Sequence, residues 1–247
     1  MPRKSRTPKT TVVAAPEPQL PDGLVNEEPV VYPLATSSIV AQQVYSNPDR
    51  HPDKPGPWSN EADKVAWIDE ETGLGCIMLR QVDGTLSGYV GVDPDHPLYG
   101  FVPDAVPLDI SRTVHGGVTY GKACEVNRVE SHARSRTVQE RYSVCHVTRI
   151  RMRTIDYLEA VQTTEDQFHE DLWWLGFDTN HDGDARPNDD DYEKHSEDVY
   201  RDQSFVYGQC IALARCLRRI ASERGSPEEM GGCSALLPRP ESDGESH

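Results

Sequence analysis

Cys76-Ile77-Met78-Leu79-Arg80, then Val82-Asp83-Gly84-Thr85, then Leu86-Ser87-Gly88-Tyr89-Val90-Gly91-Val92 is the stretch that decides the fold. Two apolar runs flank an Asp-Gly pair, and Asp-Gly between such runs is the turn signal of a β-hairpin. The reading is therefore two antiparallel strands, 76–80 and 86–92, joined by a tight turn. A hairpin cannot stand alone in water, so its apolar face needs a cover.

That cover lies toward the C-terminus. Val199, Gln203, Val206, Cys210, Leu213, Leu217 and Ile220 recur at spacings of three and four, which places one apolar stripe along a helix over 199–224. Arg215, Arg218, Arg219 and Arg224 gather near its end, where cations favour the helix dipole, and Gly225 and Pro227 stop it. Upstream of the hairpin, Ser59 reads as the N-cap of a short helix running to about Glu71, with Val65 and Trp67 inward and Asp63 and Lys64 outward. Residues 144–154 alternate, Ile150 and Met152 on one face and Arg149, Arg151 and Arg153 on the other, as a half-buried strand does. Residues 121–142 are polar and read as a loop or insertion.

The expected fold class is thus α+β. A mixed or antiparallel sheet of about four to six strands is covered by the 199–224 helix and a shorter helix near 60–71. Residues 57–224 form this single domain. Residues 1–56, with Pro16, Pro18, Pro21, Pro29 and Pro33, read as an extended or disordered arm, and 225–247 as a disordered tail.

Composition excludes several classes of function. The formal net charge of −16 repels duplex nucleic acid over most of the surface. No apolar run approaches the roughly 20 residues of a membrane span. Met-Pro-Arg-Lys-Ser-Arg opens the sequence without an apolar stretch behind it, which argues against a secretory signal and for the cytoplasm of a bacterial or infected host cell, or a virion. The six cysteines, at 76, 124, 145, 210, 216 and 233, form no Cys-x-x-Cys pair and read as free thiols. A basic start (Arg3, Lys4, Arg6, Lys9) ahead of the Pro-rich run suits an arm, residues 1–56, that orders on a protein partner.

The chemistry concentrates in Trp173-Trp174-Leu175-Gly176-Phe177-Asp178-Thr179-Asn180-His181-Asp182-Gly183-Asp184. A buried aromatic run passes into a cluster of oxygen and nitrogen ligands, within a segment, 163–202, that holds 14 acidic and three basic residues. Val114-His115-Gly116-Gly117 brings a second imidazole with little steric cover. Two readings stay open. Asp178, Asn180, Asp182 and Gly183, with Asp189 eleven residues on, match positions 1, 3, 5, 6 and 12 of a calcium loop. Alternatively Asp178, His181 and Asp184 join His115, a set that suits Zn or Mn, or a site without metal in which one His is the base and an Asp orients it. The candidate catalytic residues are His115, His181 and Asp184. Candidate metal ligands are Asp178, His181, Asp184, Asn180 and Asp182, with Zn or Mn ahead of Ca, and Tyr99, Tyr120 and Trp174 are candidate ligand-binding walls. If the loops carrying His115 and His181 leave one sheet edge, nitrogens of the two rings lie within about 8 Å, two Zn–N bonds plus slack.

Taken in order, Gly88-Tyr89-Val90-Gly91, His96-Pro97-Leu98-Tyr99-Gly100, Val114-His115-Gly116-Gly117-Val118-Thr119-Tyr120, Trp173-Trp174-Leu175-Gly176-Phe177-Asp178 with His181, Gly183 and Asp184, and Tyr200-Arg201-Asp202 resemble a family of uncharacterised proteins of bacteriophages and bacteria. The resemblance spans roughly 57–221. His115, Asp178, His181 and Asp184 match its motifs one by one, whereas Thr179 stands where the family has Cys. The family pattern has small or apolar residues in place of Asn180 and Asp182, so it does not share the calcium-like spacing. The resemblance implies a phage-type protein and carries no established activity. Two functions are expected from these readings. One is a metal-dependent or acid–base protein acting, by hydrolysis, on a small phosphorylated or nucleotide-like ligand. The other is a non-catalytic virion or host-takeover protein that binds a partner through its arm and acidic surface.

Overall fold

A computed structural model describes residues 29–124, 143–145, 171–193 and 195–222. Seven strands form one antiparallel sheet: β1 (Val30–Pro33), β2 (Ser38–Tyr45), β3 (Lys64–Ile68), β4 (Gly75–Arg80), β5 (Leu86–Val92), β6 (Tyr120–Ala123) and β7 (Trp173–Asp178). Their spatial order is β1-β2-β3-β4-β5-β7-β6. A one-turn helix α1 (Leu108–Ser111) precedes β6, and the long helix α2 (Gln203–Ser222) packs across β4 and β5. The fold class is as the sequence implies, with a larger sheet.

The hairpin is where its pattern places it. β4 and β5 pair from Cys76↔Val90 to Arg80↔Leu86, and Gly84 takes φ +82 in the turn. Side chains alternate between faces. Leu86, Val90 and Val92, with Met78, Cys76, Val65, Trp67, Leu175 and Phe177, form the core under the α2 stripe of Val206, Cys210, Leu213 and Leu217. The opposite face buries Ala66, Ile77, Leu79, Tyr89 and Trp174. Gly88 sits under α2 with no room for a side chain, because a Cβ there would overlap the Phe177 ring and Cys210 Sγ.

Three expectations are corrected. The helix over 60–71 is absent: Pro57–Asn60 is a single 3-10 turn, and Lys64–Ile68 is strand β3. Asp63 and Lys64, expected outside, are buried, and both are compensated. Asp63 accepts from Arg80 Nε at 2.7 Å and from the Asn47 amide at 2.6 Å, and lies 2.7 Å from His51 Nδ1. Lys64 Nζ donates to the carbonyls of Ser143 and Cys145. Second, the domain begins before residue 57, since residues 30–45 supply two strands of the sheet. Pro33 is tolerated because β1 is an edge strand, where a missing amide proton costs no ladder bond. Third, the cysteines are not all free. Cys124 and Cys145 form a disulfide and Cys216 is disulfide-bonded, while Cys76 and Cys210 are buried thiols whose ionisation burial opposes. β6 also occupies the start of the segment read as an insertion. The strand expected over 144–154 and the tail over 225–247 lie outside the described residues, as do residues 1–28 of the arm.

α2 starts four residues later than its apolar pattern suggests. Asp202 Oδ1 accepts from the Phe205 amide at 2.8 Å, which caps the first turn. Val199 instead pairs with Asp184 in an isolated parallel bridge. Glu61 fixes the entry to the helix, accepting from Tyr200 Oη at 2.6 Å, Arg80 Nη2 at 2.9 Å and the Gln203 amide at 3.0 Å. Among the described residues no helix is long and apolar enough to cross a membrane.

Candidate functional site

β6 enters the sheet beside the end of β7, with Tyr120 opposite Gly176 and the Thr119 amide bonded to the Gly176 carbonyl. The loop before β6 and the loop after β7 therefore leave one edge of the sheet. His115 lies on the first and His181 on the second. Their ring centroids are 5.1 Å apart, tilted by 58°. The expected convergence of the two imidazoles is present.

Local backbone chemistry builds this approach. Gly116 and Gly117 take φ +66 and +88, a region an L-residue enters at a cost of about 1–2 kcal/mol. A Cβ on Gly116 would overlap the His181 ring at Nε2. Glycine is what lets the His181 imidazole rest on the 115–117 backbone. Gly183, at φ +82, turns the chain so that the Asp184 amide reaches back to the His181 carbonyl. The bridge to Val199 then pins Asp184 beside the start of α2.

Asp184 is the anchor. Its side chain is fully buried and receives three hydrogen bonds. His115 Nε2 lies 2.6 Å from Oδ2, the His181 amide donates to the same oxygen at 3.1 Å, and Arg201 Nε donates to Oδ1 at 2.8 Å. Burial alone pushes this carboxyl upward, but the bonds from His115 and Arg201 outweigh it and hold the carboxyl below its usual range. An ionised carboxylate only accepts, so Nε2 of His115 carries the proton and, in the neutral ring, Nδ1 keeps the lone pair. Phe205 meets His115 edge-on at 5.5 Å and lies under the Arg201 guanidinium at 4.9 Å. Gln209 Oε1 accepts the His115 amide at 2.8 Å. His115 and Arg201 keep 21% and 28% of their side chains exposed, so both reach solvent from a buried anchor. Among the described residues, the Arg201 Nη groups and His115 Nδ1 bond to nothing, and His181 Nε2 is buried without a partner.

The remaining candidates lie elsewhere. Asp178 follows Phe177 and so faces the opposite side of the sheet. It accepts from Ser87 Oγ at 2.6 Å and Thr119 Oγ1 at 2.7 Å, tying β5 and β7 to the residue that precedes β6. Asn180 Nδ2 donates to Asp83 at 3.2 Å, and Asp189 caps the Asp191 amide. Asp182 is exposed. The calcium-loop oxygens thus point to separate partners, and among the described residues no three His, Cys, Asp or Glu side chains are placed to share a metal ion. The three walls do not enclose the histidines. Trp174 is fully buried in the second-face core, Tyr120 stacks edge-on against Tyr89 there, and Tyr99 leans on Trp173 at the far end of β7. His96, in the His-Pro-Leu-Tyr-Gly motif, is structural: its Nδ1 accepts the Leu98 amide, so Nε2–H donates to the Leu217 carbonyl of α2.

Arg201, Phe205 and Gln209 are the site residues that sequence reading missed. Arg201 stood within the quoted Tyr-Arg-Asp motif, but as the opening of a helix rather than as a partner of Asp184. No family model, curated protein or solved structure matches this chain.

Proposed function

We propose that His115, His181, Asp184 and Arg201 form an acid–base site for a small phosphorylated or nucleotide-like ligand in a phage-type protein. One observation carries the reading: a fully buried carboxylate holds both an imidazole and a guanidinium, and each keeps its outer nitrogens for a ligand. An imidazole oriented by a buried carboxylate is the arrangement of a general base. His115 Nδ1 takes the proton of an attacking water, and Asp184 stabilises the imidazolium that results. Arg201 offers its Nη groups to phosphoryl oxygens, whose charge spreads as the leaving group departs. His181, 5.1 Å from His115 between ring centroids, would serve the leaving-group oxygen through Nδ1, since its Nε2 is buried against Gly116. Zn or Mn held between the two rings would need a third ligand, and Asp184 is committed to Arg201 and the His181 amide.

The test is hydrolysis of p-nitrophenyl phosphate, bis-p-nitrophenyl phosphate and a panel of nucleotides by the purified chain, with and without a chelator. Turnover that survives chelation and falls about 10²-fold or more in His115→Ala supports the site. No turnover and no binding of any of these compounds sinks it. A second reading, a virion or host-takeover protein binding its partner through the N-terminal arm and acidic surface, draws on the disulfides. Reducing cytosol disfavours such bonds, so they favour a particle or another oxidising space over the cytoplasm.

A further inference from the structure

Two Asp-Gly pairs, Asp83-Gly84 and Asp182-Gly183, lie within the described residues, and they are held very differently. In the hairpin turn every polar group of the pair's peptide link is tied. The Gly84 amide donates to the Gln81 carbonyl at 3.1 Å, and the Asp83 carbonyl accepts the Asn188 amide at 2.9 Å. Asp83 Oδ1 accepts from the Thr85 amide at 3.0 Å and from Thr85 Oγ1 at 2.6 Å, and Oδ2 accepts from Asn180 Nδ2 at 3.2 Å. Asp182-Gly183, in the turn between His181 and Asp184, is exposed. Among the described residues the Asp182 carboxylate accepts no hydrogen bond, and neither the Asp182 carbonyl nor the Gly183 amide has a partner. The bonds that close this turn lie on either side of that link: the Asp184 amide to the His181 carbonyl at 3.1 Å, and the Val199 amide to the Gly183 carbonyl at 3.0 Å. With Gly183 at φ +82 the backbone is that of a type II turn, and rotating its central peptide unit gives a type I turn closed by the same bond. Glycine permits both forms. The rotation carries the Gly183 nitrogen past the Asp182 side chain, and a Cβ built on Gly183 meets nothing within 4 Å.

We propose that Asp182-Gly183 is a site of spontaneous conversion to isoaspartate, and that the conversion undoes the clamp on Asp184. The Gly183 nitrogen attacks Cγ of Asp182 in its acid form. An N–Cγ bond forms, a Cγ–O bond breaks, and that oxygen leaves as water with the carboxyl proton and the amide proton. A second water then adds at the main-chain carbonyl carbon of residue 182. Its bond to the Gly183 nitrogen breaks, the nitrogen regains a proton, and the chain now runs through the former side chain. No oxidant or other reactant is needed, and the mass is unchanged. The new link adds a methylene carbon, about 1.5 Å of main chain, to a turn whose ends meet at 3.1 Å. The His181 amide, which donates to Asp184 Oδ2 at 3.1 Å, is thereby pulled out of register with the buried carboxylate.

Incubation of the purified full chain in heavy-oxygen water at physiological pH and temperature tests this. Ring opening fixes a heavy oxygen in the residue, peptide mass spectrometry locates it, and electron-transfer fragmentation separates isoaspartate from aspartate. Each rate is taken relative to that of the same residue in the chain unfolded in urea, which removes the effect of neighbouring sequence. On that scale residue 182 should convert at least about tenfold faster than residue 83, the ratio that a single hydrogen bond to a charged group produces. Equal relative rates at the two positions, or label at residue 182 in the unfolded chain alone, overturns the site. Asp182→Glu, whose longer side chain closes the ring far more slowly, is aged in parallel. Aged wild type should lose about 2 °C or more of Tm against fresh protein, the shift expected from one lost hydrogen bond in a chain of this size, while Asp182→Glu holds its Tm. Aged wild type rich in isoaspartate at residue 182 but unchanged in Tm overturns the effect on Asp184, as does an equal fall in both proteins.

Discussion

Asp184→Asn is the substitution that weighs the anchor of the candidate site. It keeps the shape and removes the charge. The carboxylate accepts from His115 Nε2, Arg201 Nε and the His181 amide, all in a fully buried position. An amide in its place has one acceptor oxygen, and its NH₂ must face donors. Hydrogen bonds to a charged group contribute about 1.5–3 kcal/mol each. Water compensates part of the loss, because Arg201 and His115 are 28% and 21% exposed. A net destabilisation of about 2–4 kcal/mol follows, or roughly 4–16 °C in Tm for a chain of this size. Thermal unfolding followed by far-UV circular dichroism at pH 7 reads it directly. The pH dependence provides a second check. The folded carboxyl titrates below its unfolded value of about 3.9, so its contribution is complete above that pH and is lost as pH falls through the lower, folded value. The gap between wild type and Asp184→Asn should therefore be open at neutral pH and narrow below about pH 4. A gap under about 0.5 kcal/mol at pH 7, or one that does not narrow in acid, would refute the anchoring role.

Gly116→Ala should destabilise by at least about 2 kcal/mol, from a left-handed φ and a Cβ that meets His181, and calorimetry on the purified variant checks it. Gly88→Ala should cost about 1–3 kcal/mol through overpacking between the sheet and α2. Gly73→Ala, with open space around it but φ +72, should cost only about 1–2 kcal/mol from its backbone, so urea titrations that rank it well above Gly88→Ala would contradict the packing account. Elemental analysis of wild type and His181→Ala reads the metal alternative directly: one Zn or Mn per chain that disappears in His181→Ala would place an ion on the two imidazoles, and an unchanged metal content would remove it.

The hairpin and α2 were legible because their signals are local. An Asp-Gly pair fixes a turn, and six apolar residues at helical spacing fix a face, without knowledge of any distant partner. Residues 60–71 misled for the complementary reason. Asp63 and Lys64 were placed outside because charge usually seeks water, yet each is buried against partners far along the chain: Asp63 against Arg80, Lys64 against residues 143 and 145. Nothing within ten residues announces either pairing. The N-terminal strands were hidden by proline density. Ser38–Tyr45 holds Ile39, Val40 and Val44 at strand-forming positions, a signal that the surrounding prolines outweighed.

The site divides in the same way. His115 and His181 were paired from two glycines, which are a sequence feature, on the condition that their loops leave one sheet edge, and the strand order β5-β7-β6 supplies that edge. The walls failed because strand alternation was not followed through the aromatic run. Trp173 and Phe177 face α2, so Trp174 and Asp178 must face away, and the histidine site begins only where β7 ends and the chain turns. Asp178 then serves the opposite face, bonding Ser87 and Thr119, while Asp184, six residues later, serves the helix face. Arg201 could be recognised only with the fold in hand, because the bridge between Asp184 and Val199 is what sets a guanidinium beside that carboxylate. A buried carboxylate needs a donor, but the sequence offers many cations and no distances. The choice among them is made by topology, in the parallel bridge that closes just before α2 begins.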